Sequence, residues 1–163
     1  MDADEARQAA YATALRLLAG REMSTARVRD RLGTRGFPDE AIESAVARLT
    51  RAGVLDDRRA AQAAARTLVS VRMRGRYRVD RELERLGFDR AMADEALRDV
   101  LEAVDESALV ARVVESKMRG GKTLADAAAY RRLFGALLRR GFPGLLIRDA
   151  LKPYWRRSGA PDV

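Results

Sequence analysis

The chain has 163 residues, 47% of them hydrophobic, which is enough for a folded protein with a hydrophobic core. It contains no Cys and no His, so disulfides, thiol nucleophiles, imidazole bases and the usual zinc sites are excluded. No nucleophile–base pair or metal cluster is visible in the sequence, and we expect a protein that is not an enzyme and needs no cofactor. The net charge of +8 favours a polyanionic partner or an acidic protein surface.

The sequence contains no signal for a membrane or for export. No apolar run approaches the roughly 20 residues that a membrane-spanning helix needs. The chain opens with Met1-Asp2-Ala3-Asp4-Glu5, which is acidic where a secretory signal peptide is basic. We therefore expect a cytoplasmic protein.

A repeated Gly-Phe pair organises the chain. Aromatic residues make up only 6% of it, and Ala, Leu, Arg and Glu dominate, which favours helices over strands. The pair occurs at Gly36-Phe37, Gly87-Phe88 and Gly141-Phe142. The separations of 51 and 54 residues indicate an internal repeat. Each Gly suits the end of a helix, where positive φ costs little, and each Phe can cover the joint that follows.

Apolar residues flank each pair at helical spacing, so one helix ends at the pair and another follows it. These stripe positions are Val28, Leu32, Ile42, Ala45, Val46 and Leu49; Val79, Leu83, Ala93, Ala96, Leu97 and Val100; and Leu133, Leu137, Ile147, Ala150, Leu151 and Tyr154. A further helix precedes each pair, with stripes at Tyr11, Leu15 and Leu18; at Ala61, Ala65, Leu68 and Val69; and at Leu109, Val113 and Val114. We expect all of these residues to form the core.

The predicted fold is all-α and consists of three tandem three-helix repeats, at residues 7–53, 54–104 and 105–157. Asp56 and Asp105 are expected to cap the helices that open the second and third repeats. Disordered tails are expected at residues 1–6 and 158–163. Because three small bundles in a row cannot share one compact core, we expect an elongated, curved, monomeric array with a long contact surface.

Several motifs occur together in the order and spacing of one known family. They are Ala14-Leu15-Arg16-Leu17-Leu18-Ala19-Gly20-Arg21-Glu22, then Arg35-Gly36-Phe37 with Ala41-Ile42, then Gly53-Val54-Leu55-Asp56-Asp57, and Arg72-Met73-Arg74-Gly75-Arg76 leading to Glu82-Leu83. On these motifs the sequence resembles the RecX family of RecA regulators over residues 9–155.

The resemblance implies a protein that lodges in the groove of the RecA–DNA filament. There it would inhibit ATP hydrolysis, strand exchange and coprotease activity, by blocking filament extension or by promoting disassembly. The family carries no catalytic residues. The alternative hypothesis is a DNA-binding protein that acts independently of RecA, because each helix pair could serve as a helix-turn-helix. A direct DNA binder would lose affinity steeply with salt and would not need RecA.

Positive charge is concentrated in the last third of the chain. Residues 1–55 and 56–104 each carry an excess of one positive charge, whereas residues 105–163 carry an excess of six. A second basic run, at residues 72–78, is followed by Asp80, Glu82 and Glu84, so it is either an anion-binding patch or a solvated helix face. The predicted site would contact an acidic RecA surface or single-stranded or duplex DNA, and consists of Arg72, Arg74, Arg76, Lys117, Arg119, Lys122, Arg131, Arg132, Arg139, Arg140, Arg148 and Lys152.

Three other motifs admit a functional or a structural interpretation. Gly120-Gly121-Lys122-Thr123 resembles the end of a nucleotide-binding loop, but a predicted helix precedes it, and we expect Thr123 to cap the next helix. Asp56-Asp57 could bind a metal, although adjacent acids at a helix start favour capping. Tyr154 and Trp155 could stack on a nucleic-acid base, but the position of Tyr154 in the apolar stripe favours packing.

Overall fold

A computed structural model describes residues 2–155 of the chain. Regular structure in this range is helical, apart from one isolated β-bridge between Leu124 and Trp155, which confirms the all-α prediction. The helices are α1 (Ala3–Ala19), α2 (Thr25–Gly33), α3 (Asp39–Arg51), α4 (Asp57–Arg66), α5 (Arg76–Arg85), α6 (Arg90–Ala103), α7 (Glu106–Lys117), α8 (Ala127–Arg139) and α9 (Gly144–Leu151). They form three successive sets of three, as the repeat predicts.

The chain divides into two compact units. Unit 1 comprises Met1–Ala64 and Glu82–Ala96, and unit 2 comprises Ala65–Arg81 and Leu97–Val163. Helices α4, α5 and α6 each run across a boundary between these ranges. The middle repeat therefore supplies residues to both units, and each unit also contains one complete terminal repeat.

The predicted stripes form the core. All of the stripe residues that flank the Gly-Phe pairs are buried, except that Leu97, Leu133, Ala150 and Tyr154 are half-buried. On α1 the predicted residues Tyr11, Leu15 and Leu18 are half-buried and pack against the core, whereas the fully buried residues are Ala6, Ala10 and Ala14, which were not predicted. Small alanine side chains let one helix approach another closely, which a stripe of large residues would prevent.

The N-terminus differs from the prediction of a disordered tail at residues 1–6. Helix α1 begins at Ala3, and Asp2 and Glu5 form a capping box in which each side chain accepts the backbone N–H of the other. Ala6 is buried against the core. The cap and this burial account for the early helix start. The tail predicted at residues 158–163 lies outside the described residues.

The glycine joint of the third repeat docks onto the start of α5. The Gly75 N–H donates to the Arg140 carbonyl at 2.9 Å, and the Tyr77 N–H donates to the Gly141 carbonyl at 3.1 Å. A Cβ at Gly141 would lie 2.3 Å from the Arg78 nitrogen, and one at Gly75 would lie 2.4 Å from the Gly141 carbonyl carbon. Only two glycines permit backbones to approach this closely.

The joint of the second repeat docks in the same way onto the start of α2. The Ser24 hydroxyl donates to the Leu86 carbonyl at 2.5 Å, and a Cβ at Gly87 would lie 3.0 Å from the Ala26 Cβ. The corresponding Gly36 of the first repeat has no such neighbour, since a Cβ there would meet nothing within 4 Å in the described part of the chain. This joint therefore remains open.

An acidic side chain strengthens each of these two docking contacts. Asp57, the first residue of α4, accepts the Thr25 N–H at 2.7 Å. Glu106, the first residue of α7, accepts the Arg76 N–H at 2.8 Å and pairs with its guanidinium at 2.7 Å. The first residue of the first helix in one repeat thus caps the second helix of the preceding repeat, where the helix dipole favours negative charge.

The predicted N-caps are confirmed. Asp56 accepts the Arg59 N–H at 3.0 Å at the start of α4. At the start of α7, Asp105 accepts the N–H groups of Ser107 and Ala108 and the Ser107 hydroxyl. The Ser107 hydroxyl and then these backbone donors hold the pKa of Asp105 below its usual value. Each Asp-Asp or Asp-Glu pair therefore caps two helices at once.

Replacing Gly141 by Ala is expected to destabilise the protein more than replacing Gly36 by Ala. Both glycines have positive φ, 94° and 79°, so each substitution carries backbone strain of about 1 kcal/mol. At Gly141 the new Cβ also meets backbone atoms, which adds about 1–3 kcal/mol. Urea denaturation followed by circular dichroism measures both losses, and equal values would contradict the docking contact.

Glu106→Ala is expected to lower the free energy of unfolding by about 2 kcal/mol, because it leaves the Arg76 N–H without its acceptor. Glu115→Ala, at an exposed position on the same helix, is the control and should change it by less than about 0.5 kcal/mol. Thermal unfolding of both variants provides the measurement. Indistinguishable melting temperatures would show that Glu106 does not act as a cap.

Candidate partner-binding groove

A groove of unit 2 brings together cations that have no carboxylate partner among residues 2–155. Its volume is about 470 Å³. We call it the basic groove, and it is lined by Met73, Arg112, Val113, Glu115, Ser116, Lys117, Arg119 and Arg140. Three segments contribute: the turn between α4 and α5, the second half of α7 with Arg119 two residues beyond its end, and the joint after α8.

Helix α7 supplies most of the lining. Leu109, Val110 and Val114 are fully buried on its inner face, so Arg112 and Ser116 are turned to the exposed side. Both therefore lie at the groove, four residues and about one turn apart.

The turn between α4 and α5 has an unusual backbone. Thr67–Val71 is a π-helical turn, in which the Arg72 N–H donates to the Thr67 carbonyl at 3.0 Å. Met73 follows with φ of 51°, the left-handed region that non-glycine residues seldom occupy. The Arg74 N–H donates to the Leu68 carbonyl at 3.0 Å and fixes this conformation. Strained residues and π-helical turns concentrate at functional sites. The turn at Thr67–Val71 places Met73 in the lining of the basic groove.

Arg140 reaches the basic groove because of the glycine joint. Its carbonyl accepts the Gly75 N–H, so the backbone that carries its side chain is fixed against the start of α5. The same docking contact that joins the second and third repeats therefore sets the position of one cation relative to Met73.

The cations of the basic groove are not neutralised by the part of the chain that the structure describes. Arg112, Lys117, Arg119 and Arg140 form no ion pair with any carboxylate in residues 2–155, and Glu115 is the one acid of the lining. Unit 2 has 19 Lys and Arg against 9 Asp and Glu, whereas unit 1 has 13 against 15. Arginines without partners can bind carboxylate or phosphate in a bidentate manner.

The structure brings together only part of the predicted site. Lys117, Arg119 and Arg140 line the basic groove, and Arg72 and Arg74 adjoin Met73 in the chain. Arg76 instead pairs with the buried Glu106, and Lys152 pairs with Asp149 at 2.6 Å. The remaining predicted residues are exposed but do not line it: Lys122, Arg131, Arg132, Arg139 and Arg148.

Arg112 and Met73 line the basic groove but are not among the predicted site residues. Arg112 could have been found, because it lies four residues before Ser116 on the face opposite the valines of α7. The role of Met73 depends on the π-helical turn, for which the sequence offers no comparable signal.

For Gly120-Gly121-Lys122-Thr123 the structural interpretation is supported over the nucleotide-binding one, but the capping residue differs from the predicted one. Helix α7 precedes Gly120 and Gly121, so the strand that a nucleotide-binding loop requires is not found there. The prediction that Thr123 caps α8 is wrong, because the Asp126 side chain accepts the Ala129 N–H at 2.7 Å.

The Trp155 ring packs edge-on against Tyr130, with ring centroids 5.3 Å apart. Burial raises the pKa of Tyr130, an effect that the nearby charge of Arg148 partly offsets. The predicted packing role of Trp155 is therefore supported.

Comparison with known proteins identifies the family. Residues 10–49 match the family model described as RecX, first three-helix domain, and residues 105–151 match RecX, third three-helix domain. Regulatory protein RecX of Trichlorobacter lovleyi is 37% identical over 143 residues, which cover 85% of this chain and 91% of that protein. The chain belongs to the RecX family of regulatory proteins. Regulatory protein RecX of Chlorobaculum tepidum is 32% identical over 139 residues, which cover 85% of this chain and 84% of that protein.

Solved RecX structures have the same fold. The crystal structure of RecX from Lactobacillus salivarius aligns with a TM-score of 0.77 at 17% identity, covering 93% of this chain and 97% of that one. A second RecX crystal structure aligns with a TM-score of 0.74 at 19% identity, covering 88% of this chain and 72% of that one. As for membrane spans, none of the helices in residues 2–155 has the length and apolar character to cross a bilayer.

Proposed function

We propose that this RecX-family chain binds the RecA nucleoprotein filament and inhibits its ATPase, strand-exchange and coprotease activities. The observation that carries the proposal is the basic groove, whose four cations have no carboxylate partner among the described residues of a chain of this family. Its lining combines bidentate arginines with Met73 and Val113, so it suits a ligand that presents both anionic and apolar groups.

Inhibition follows from preferential binding to one state of the filament. A protein that binds a disassembling or non-extending state more tightly than the active state shifts the filament toward the former. If binding blocks the addition of RecA subunits, one bound copy affects many subunits. Inhibition at less than one copy per RecA subunit is therefore expected for capping or disassembly.

The strong charge of unit 2 favours one competing function, a DNA-binding protein that acts without RecA. A direct DNA binder would bind bare DNA tightly at low salt and lose affinity steeply as salt rises. A filament regulator depends on RecA for its effect. Measurements on bare DNA and on assembled filaments therefore separate the two.

The test is the ATPase rate of RecA pre-assembled on single-stranded DNA. The wild-type chain should lower the rate below one copy per RecA subunit. Arg112→Glu with Arg140→Glu should raise the half-inhibitory concentration at least about tenfold, because two charge-assisted contacts become repulsive. Arg66→Glu with Arg98→Glu is the matched control, since both residues are exposed in unit 2 outside the basic groove.

Equal loss in both double variants would show that net charge, and not the basic groove, carries the effect. Tight binding to bare DNA without any effect on the ATPase would favour the DNA-binding alternative. A third variant, Arg131→Glu with Arg132→Glu, determines whether the exposed cations of α8 contribute as the sequence predicts.

A further inference from the structure

A second groove lies in unit 1, at the open joint of the first repeat. Its volume is about 460 Å³. We call it the first-repeat groove, and it is lined by Thr13, Arg16, Leu17, Arg35 and Phe37. The first three residues come from α1, and the last two flank Gly36, where an added Cβ would meet nothing within 4 Å among the described residues.

The two grooves occupy the same place in two repeats. The buried residues Ala10 and Ala14 of α1 correspond to Val110 and Val114 of α7, an offset of 100 residues. By the same offset, the three α1 residues that line the first-repeat groove match three α7 residues that line the basic groove. Thr13 matches Val113, Arg16 matches Ser116, and Leu17 matches Lys117. Arg35 and Arg140 each stand directly before the joint glycine. The same repeat surface therefore forms a groove in both terminal repeats.

The middle repeat shows that the fold does not require cations at this place. The equivalent residues there are Ala64, Thr67, Leu68 and Leu86, none of which is charged. Leu68 is buried, and the Leu86 carbonyl accepts the Ser24 hydroxyl within the docking contact of unit 1. An arginine directly before the joint glycine is thus a property of the terminal repeats and not of the repeat fold.

The arginines of the first-repeat groove have no carboxylate partner among the described residues, although unit 1 contains more acids than bases. Arg16 donates to the Thr13 hydroxyl at 3.1 Å, and Arg35 donates to the Arg31 carbonyl at 2.8 Å. Neither arginine forms an ion pair with a carboxylate of residues 2–155. In the same unit, by contrast, Arg29 pairs with Glu43 and Arg59 pairs with Glu22. Two arginines therefore remain available for an external anion.

We propose that the first-repeat groove is a second binding site, and that its occupant is a carboxylate-bearing, partly apolar protein surface. This inference rests on the proposed function, because a filament presents the same subunit surface repeatedly and two equivalent grooves can bind two equivalent surfaces. Such bivalent binding raises the apparent affinity through effective concentration without any new type of contact.

Charge and lining favour protein over nucleic acid as the occupant. Unit 1 carries 13 basic against 15 acidic residues, so its long-range field does not attract a polyanion. The half-buried Leu17 and Phe37 beside the two arginines suit an apolar side chain flanked by carboxylates.

The experiment uses two double variants of the full chain. The groove variant combines Arg16→Glu and Arg35→Glu, and the control variant combines Arg21→Glu and Arg51→Glu. The control residues are exposed in unit 1, do not line the first-repeat groove and undergo the same charge change. The groove variant should bind RecA filaments at least about tenfold more weakly than the control, with unchanged affinity for bare single-stranded DNA. Circular dichroism melting establishes that both variants are folded.

The outcomes separate this inference from the proposed function. If the wild type and the control inhibit the filament and the groove variant inhibits equally well, the second site is refuted and the proposed function stands. If the groove variant loses affinity for bare DNA in the same proportion, the occupant is nucleic acid and the proposal is overturned. A wild-type chain without effect on the filament contradicts the proposed function, and with it the occupant named for this groove.

Discussion

The close docking of a glycine joint onto the start of a helix in the preceding repeat is the contact on which the rest of the structure depends. At Gly141 and Gly75 the two backbones are so close that no side chain fits between them, and two backbone hydrogen bonds join them. Because the Arg140 carbonyl accepts one of these bonds, the contact that builds the repeat also positions a cation of the basic groove. Glu106, buried beside it, adds a cap on α5 and takes Arg76 out of the set of available cations.

The repeat explains how one small structural unit can serve both folding and recognition. The position before the joint glycine is Leu86 in the middle repeat and arginine in the terminal repeats, although the carbonyls of Leu86 and Arg140 both accept a hydrogen bond in docking. Neither arginine has a carboxylate partner within residues 2–155. A surface that holds uncharged residues in the middle repeat thus carries charge in the two terminal repeats. The buried apolar stripes that form the core are kept in all three. An interaction with a periodic partner is the natural use of such a periodic surface.

Sequence reasoning succeeded where the determinants are local. Helical stripes, the positive φ of the joint glycines and the caps at Asp56 and Asp105 all depend on residues a few positions apart. It failed where a distant residue decides the outcome. Arg76 belongs to a basic run without acids, but its partner Glu106 lies 30 residues further along the chain. The π-helical turn and the left-handed Met73 depend likewise on tertiary packing, so the place of Met73 beside Lys117, Arg119 and Arg140 in the basic groove could not be predicted.

The most direct test is hydrogen–deuterium exchange of the chain alone and bound to RecA filaments on single-stranded DNA. We expect slower exchange on binding at residues 112–119 and at the joint around Arg140, which form the basic groove. We also expect slower exchange at residues 13–17 and 35–37 of the first-repeat groove. Protection confined to the exposed face of α8, where Arg131 and Arg132 lie, would contradict the assignment of recognition to the grooves.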